Sequence, residues 1–169
     1  ALNSGKRAVV AGPGNPPVVV DETADLDRAA AAMIVGASYD NNLLCIAEKE
    51  VFVVESVFDE LMDAMSRHKA VRLNPGQIDA LTKIAFVRTD KGKEVVNKAL
   101  VGQAAAVLAE RIGVRVPAGT ELLYGETAEQ HPFVDHEQMM PFVPFVRSRS
   151  VAEAIAQAKR WEHDFRHTS

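Results

Sequence analysis

The sequence predicts an α/β domain built on a largely parallel sheet. Three observations lead there. Short β-branched apolar runs alternate with longer segments whose apolar residues recur at helical spacing. No tight hairpin dipeptide joins two of the strand-like runs. The 169 residues, 47% hydrophobic and 25% charged, suffice for one domain with a sizeable core.

The elements follow in order. Ala8-Val9-Val10 and Pro17-Val18-Val19-Val20 read as strands, separated by the turn-forming run Ala11-Gly12-Pro13-Gly14-Asn15-Pro16. Asp25 is placed to cap a helix from about Leu26 to Ser38, whose alanine-rich middle favours helix. Asp40-Asn41-Asn42 breaks that pattern and opens a loop carrying Cys45. Glu50-Val51-Phe52-Val53-Val54 is a strand. Ser56 and Asp59, in capping-box-like spacing, predict the start of a helix through Phe58, Leu61, Met62 and Met65.

Asn74-Pro75 is a cap followed by proline at the first helical position. Helices are predicted over residues 93–100 and 103–111, the second stopped by Gly113, and residues 85–91 read as an exposed excursion. Residues 121–124 and 144–146 read as strands. Ser150 and Glu153 form a capping box for a last helix through Ala154, Ile155, Ala158 and Trp161. Internal repeats, low-complexity tracts and linkers are not apparent.

The formal net charge of -4 argues against a nucleic-acid binder, which normally carries a basic patch. A single cysteine allows no internal disulfide and makes a reducing compartment, hence the cytoplasm, the expectation. No apolar run approaches the ~18 residues of a membrane span, and the first residues lack the apolar core of a signal peptide. The chain starts without Met and runs from Arg7 straight into an apolar segment, which reads as a piece of a larger protein.

Local motifs alone leave the chemistry open. Cys45 follows a polar loop and enters a strand, whereas chemistry in open α/β sheets gathers where strands end. On composition and spacing alone, a small buried hydrophobe is the favoured reading of that cysteine. Gly12-Pro13-Gly14 lacks the third glycine and the following helix of a dinucleotide loop. His136-Glu137 resembles the start of a zinc-protease motif, but Met140 stands where the second histidine belongs, so no metal site is expected. His163 and His167, four apart, read as a solvated pair. No histidine lies near Cys45 in sequence, so a Cys–His hydrolase remains only an open alternative. The apolar segment 139–144 reads as core packing, whereas Glu137 at its border must stay wet or find a donor.

The segment from Asn42 to Val54, NLLCIAEKEVFVV, resembles the cysteine loop of aldehyde dehydrogenases. More narrowly, it is similar to the CoA-acylating members of ethanolamine and propanediol utilisation. Three further stretches match in the same order: residues 5–20, residues 21–28 (similar to a DADLD helix start), and His136-Glu137-Gln138-Met139-Met140-Pro141, similar to an E-x-x-x-P segment. The end of the chain, residues 162–168, fits as well, so the likeness covers essentially the whole sequence.

This resemblance implies the three-layer catalytic domain of that family. It implies Cys45 as the catalytic nucleophile, attacking an aldehyde carbonyl and carrying a thioester. It implies Glu137 as a cofactor-binding residue toward a nicotinamide ribose, and places Gly12 and Gly14 near the nicotinamide. NAD is the implied cofactor and CoA the co-substrate, with short-chain aldehydes such as acetaldehyde or propionaldehyde as substrates. Hydrolytic relatives carry a glutamate in an E-L-G-G turn; the matching position here is Ala11. A methyl group cannot activate water, and loss of a positioned base costs ~10²–10⁴ in rate. A thiol can then win the thioester, giving acyl-CoA.

The family's cofactor-binding domain, its oxyanion-holding asparagine and its C-terminal segment lie outside residues 1–169. The whole chain is therefore expected to be the cysteine domain of a parent whose relatives are homo-oligomers in bacterial microcompartments. The isolated chain should turn over poorly, and neither nucleic acid nor membrane is an expected partner. Two other readings remain at this stage: an acid-forming aldehyde dehydrogenase with another base, and a non-catalytic interaction domain in which Cys45 is buried.

Overall fold

A computed structural model of the chain describes residues 3–7 and 12–164. Five parallel strands form the main sheet: β1 (Pro17–Val20), β2 (Glu50–Val54), β3 (Ala70–Arg72), β6 (Leu122–Glu126) and β7 (Phe142–Ser148). Their spatial order is β1-β2-β7-β6-β3. Two short strands, β4 (Phe86–Arg88) and β5 (Glu94–Val96), form a separate antiparallel ribbon. The helices are α1 (Leu26–Ser38), α2 (Glu55–Ser66), α3 (Pro75–Ala85), α4 (Ala105–Arg111), the single turn α5 (Pro132–Asp135) and α6 (Val151–Trp161).

Every residue of β2 is buried, as expected for a central parallel strand covered on both faces. Alternation divides its side chains. Val51 and Val53, with Tyr124, Val143 and Phe145, pack beneath α1 and α2. Phe52 and Val146 face α6 with Ala154 and Ala158. On that same side, Leu123 and Phe142 pack with Leu81 of α3 and Leu108 of α4. The result is helix, sheet and helix in three layers, the architecture that the family resemblance implies.

Local chemistry explains most boundaries. Asp25 accepts from the Arg28 amide and starts α1. Asn74 and Gln77 form a reciprocal capping box at α3, with Pro75 at the first helical position. Gly113, at φ 73°, follows the end of α4. Ser150 accepts from the Glu153 amide at α6, but the Glu153 carboxylate reaches the Arg149 amide and guanidinium instead of closing the box.

Three expectations are corrected. Ser56 does not cap α2: β2 runs directly into the helix through Val54, no side chain caps it, and Asp59 pairs with Arg147. Residues 93–100 contain no helix, because Val95 and Val96 are β-branched and pair across to Val87 and Phe86. The intervening turn closes through Gly92 at φ 75°, whose amide donates to the Thr89 carbonyl at 2.8 Å. Residues 85–91 are therefore only partly an exposed excursion, since Ala85 and Phe86 are buried in the core. The predicted strand at residues 8–10 lies outside the described residues, as do Ala11 and residues 165–168.

Candidate active site

Three chain segments enter the sheet side by side. Asn15-Pro16 leads into β1, residues 43–49 lead into β2, and residues 136–141 lead into β7. These strands are neighbours and parallel, so all three segments gather at the amino ends of the sheet. Hydrogen bonds lace them together. The Lys49 amide donates to the Pro16 carbonyl at 3.1 Å. The Gln138 side-chain amide donates to the Lys49 carbonyl at 3.0 Å and to the Phe142 carbonyl at 3.1 Å.

The cysteine loop begins in an unusual backbone. Asp40, Asn41 and Asn42 lie in succession at φ 48°, 53° and 63°. Asp and Asn tolerate this left-handed region better than most residues, which explains the composition of the turn. Asn42 is fully buried and its amide donates to the carbonyls of Ala37 at 2.7 Å and Glu48 at 3.0 Å. Asn41 donates to the Gly102 carbonyl at 2.9 Å, and the Gly102 amide donates to the Met139 carbonyl at 3.0 Å. The loop is thus held from α1, from the segment before α4 and from the segment before β7.

Cys45 is half-buried, which overturns the buried reading drawn from composition alone. The loop packs its anchoring groups inward while exposing Leu43, Leu44 and Ile46 around the thiol. Glu137 is also half-buried, and its carboxylate accepts no hydrogen bond among the described residues. Gly14 is buried just before Pro16. Gly12 is exposed, and a Cβ there would meet nothing within 4 Å, so contacts among the described residues do not demand a glycine.

The residue that sequence reasoning missed is Lys49. It is fully buried. Its ammonium donates to the Asn42 carbonyl at 2.8 Å and to the Asn42 side-chain oxygen. Burial pulls it down from an ordinary 10.5 to about 8, and the acidic groups of Glu137, Cys45, Glu50 and Glu48, in that order, oppose the fall. Glu137 and Cys45, ninety-two positions apart, are the two groups that most favour the charged form of this one lysine. A lysine four residues after the cysteine, at the start of an apolar strand, was the available signal.

Glu50 is the next anomaly. It is fully buried, and neither carboxylate oxygen has a hydrogen-bond partner. Burial pushes it up to about 10, partly offset by Lys49 and reinforced by Glu162. Burial also raises Glu48, whose carboxylate packs against α1 where Gly36 leaves room.

His163 lies beyond the end of α6 and approaches Asp135 at 3.2 Å, while His167 lies outside the described residues. Among the described residues, no group of three or more His, Cys, Asp or Glu could hold a metal. Nor is any helix there long and apolar enough to cross a membrane.

The half-exposed thiol of Cys45, the half-buried Glu137 and the buried ammonium of Lys49 stand on segments that gather at one rim of a three-layer α/β domain. Residues 1–163 match the aldehyde dehydrogenase family, and the chain belongs to it. It is 47% identical to the acetylating acetaldehyde dehydrogenase EutE of Escherichia coli strain K12, over 99% of this chain and 36% of that protein. A propionaldehyde dehydrogenase from the fucose-utilisation microcompartment of Clostridium phytofermentans is 40% identical, with a TM-score of 0.87, over 99% of this chain and 38% of that one. The propionaldehyde dehydrogenase of Rhodopseudomonas palustris, solved with bound CoA and an acylated cysteine, is 40% identical, with a TM-score of 0.86, over 96% of this chain and 36% of that one. The chain thus spans about 36% of the length of EutE.

Proposed function

We propose that this chain is the cysteine domain of a CoA-acylating aldehyde dehydrogenase, in which Cys45 carries the acyl group. The observation that carries this reading is the half-exposed Cys45 on a loop whose Asn42 turn is held by the buried Lys49 ammonium. The thiol is the right nucleophile, because a cysteine is already a few per cent thiolate at neutral pH. Its sulfur adds to the aldehyde carbon, giving a thiohemiacetal. Oxidation of that carbon leaves a thioester on Cys45. The CoA thiol then adds to the thioester carbon, and Cys45 departs as thiolate, releasing acyl-CoA.

Bound NAD would supply the hydride acceptor. The residues fit such a group: the Glu137 carboxylate accepts no hydrogen bond among the described residues and can accept from two ribose hydroxyls. Gly12 and Gly14 are assigned to the same region, where Gly12 leaves room for close backbone approach. Ala11 supports CoA over water as the acyl acceptor, since it offers no base.

The substrate class is a short-chain aldehyde such as acetaldehyde or propionaldehyde. Leu43, Leu44 and Ile46 form an exposed apolar rim suited to contact with the cofactor-binding domain of the parent protein. That domain and the C-terminal segment belong to the remainder of the parent, which we infer to be a homo-oligomer working in the cytoplasm within a bacterial microcompartment.

The test follows NADH and acyl-CoA formation from propanal, NAD and CoA. The parent enzyme is expected to form propionyl-CoA. The 169-residue chain alone is expected to show little or no turnover. Free propionate formed by the parent without CoA would favour an acid-forming enzyme. An unreactive thiol in an inactive parent would favour an interaction domain.

A further inference from the structure

Lys49 touches every segment of the site. Its amide is bound to Pro16, its carbonyl to Gln138, and its ammonium to Asn42. Two of its three N–H groups end on one residue, Asn42, which sits in the left-handed turn that throws Cys45 outward. A buried ammonium is costly unless its charge is used or compensated. Neither Asn42 acceptor carries a charge. The acidic groups around it come from each neighbouring element: Glu137 from the segment before β7, Cys45 and Glu48 from the loop, and Glu50, whose buried carboxyl holds its proton, from β2. Of these, Glu137 acts most strongly and Cys45 next.

We propose that Lys49 is the positioning residue of the cysteine site. It fixes the Asn42 turn, and it places one positive charge where negative charge on the Cys45 sulfur and on Glu137 is offset together. This rests on Cys45 being the nucleophile. Lys49 itself forms no bond to substrate. Its ammonium loses its charge as pH rises through about 8, so its electrostatic service should fade there, while its hydrogen bonds can persist through a neutral amine.

The experiment measures alkylation of Cys45 by iodoacetamide in the parent enzyme from pH 6 to 10, read by mass spectrometry of the Cys45 peptide. Wild type is compared with Lys49→Met and Glu137→Gln, each checked for folding by circular dichroism. The wild-type rate should exceed that of Lys49→Met by about tenfold below pH 7, and the ratio should shrink as pH passes 8. A purely structural lysine would give a pH-independent ratio, and that result overturns the proposal. Should Lys49→Met not fold, Glu137→Gln decides. Removing the strongest negative neighbour should move the inflection of the alkylation profile assigned to Lys49 to lower pH, and an unmoved inflection overturns the proposal. A wild-type enzyme that makes acyl-CoA while Cys45 never labels overturns the nucleophile assignment itself.

Discussion

The side-chain amide of Asn41 donates to the carbonyl of Gly102 at 2.9 Å, joining positions sixty-one residues apart. Through this bond the cysteine loop hangs on a residue that no catalytic argument would select. Gly102 has φ 70°, and a Cβ there would stand 3.2 Å from the Leu43 side chain. Gly102→Ala should therefore cost about 1–2 kcal/mol in urea unfolding, since an L residue is strained in this backbone. It should also slow Cys45 alkylation, because Leu43 must yield. An unchanged midpoint and labelling rate would contradict the role of this junction.

Cys45→Ala separates chemistry from stability. The thiol is half-buried and makes no hydrogen bond among the described residues. Acyl-CoA formation by the parent enzyme should fall by more than ~10³-fold. The thermal midpoint should move by no more than about 1 kcal/mol's worth. A variant that keeps its activity would refute Cys45 as the acyl carrier.

Glu50 gives a pH prediction. Its folded value, about 10, lies above its ordinary 4.5 because burial disfavours the carboxylate. Between those values the folded chain holds a proton that the unfolded chain has lost. Its contribution to stability is therefore full below about 4.5 and is lost as pH rises toward 10. The loss approaches about 1.4 kcal/mol per pH unit for one proton. Glu50→Gln removes that dependence, so the variant should be more stable than wild type at pH 7 and nearly equal to it near pH 4. Thermal melts across pH 4 to 8 check this. A variant less stable at pH 7 would mean that Glu50 is held as a paired carboxylate.

Arg147 gives a stability prediction remote from the thiol. Its guanidinium lies 3.9 Å from the centre of the Phe58 ring and pairs with Asp59 at 2.8 Å and Glu126 at 3.1 Å. The exposed carboxylates contribute little individually, and the ring contact more. Arg147→Ala should lower stability by about 1–2 kcal/mol, with Cys45 alkylation unchanged. Denaturant midpoints and labelling rates read both parts.

Much of this was legible in the residues because local chemistry decided it. Asp25, Asn74-Pro75 and Ser150 announce their helices through hydrogen bonds reaching only three residues ahead. Cys45 and Glu137 emerged as candidates through family likeness; composition alone favoured burying the cysteine. The ribbon at residues 86–96 is hidden in the sequence because Lys93 to Leu100 has helix-compatible residues, and Gly92 is the turn signal between its strands. Ser56 failed as a cap because the chain entered α2 directly from β2. Lys49 was invisible for another reason. Lysine is ordinarily a surface residue, and only the folded turn brings Asn42 under its ammonium.

All five main strands point one way, so every segment entering them lies at one rim and every segment leaving them at the other. Asn15, Cys45 and Glu137 occupy the entering rim; Arg147, Asp59 and Glu126 occupy the leaving rim. A protein engineer can thus change the departing edge of this small domain without touching the segments that hold the thiol. Arg147 is a handle on thermal robustness at the departing edge, whereas Gly102 and Glu50 alter robustness at the arriving edge, close to the thiol.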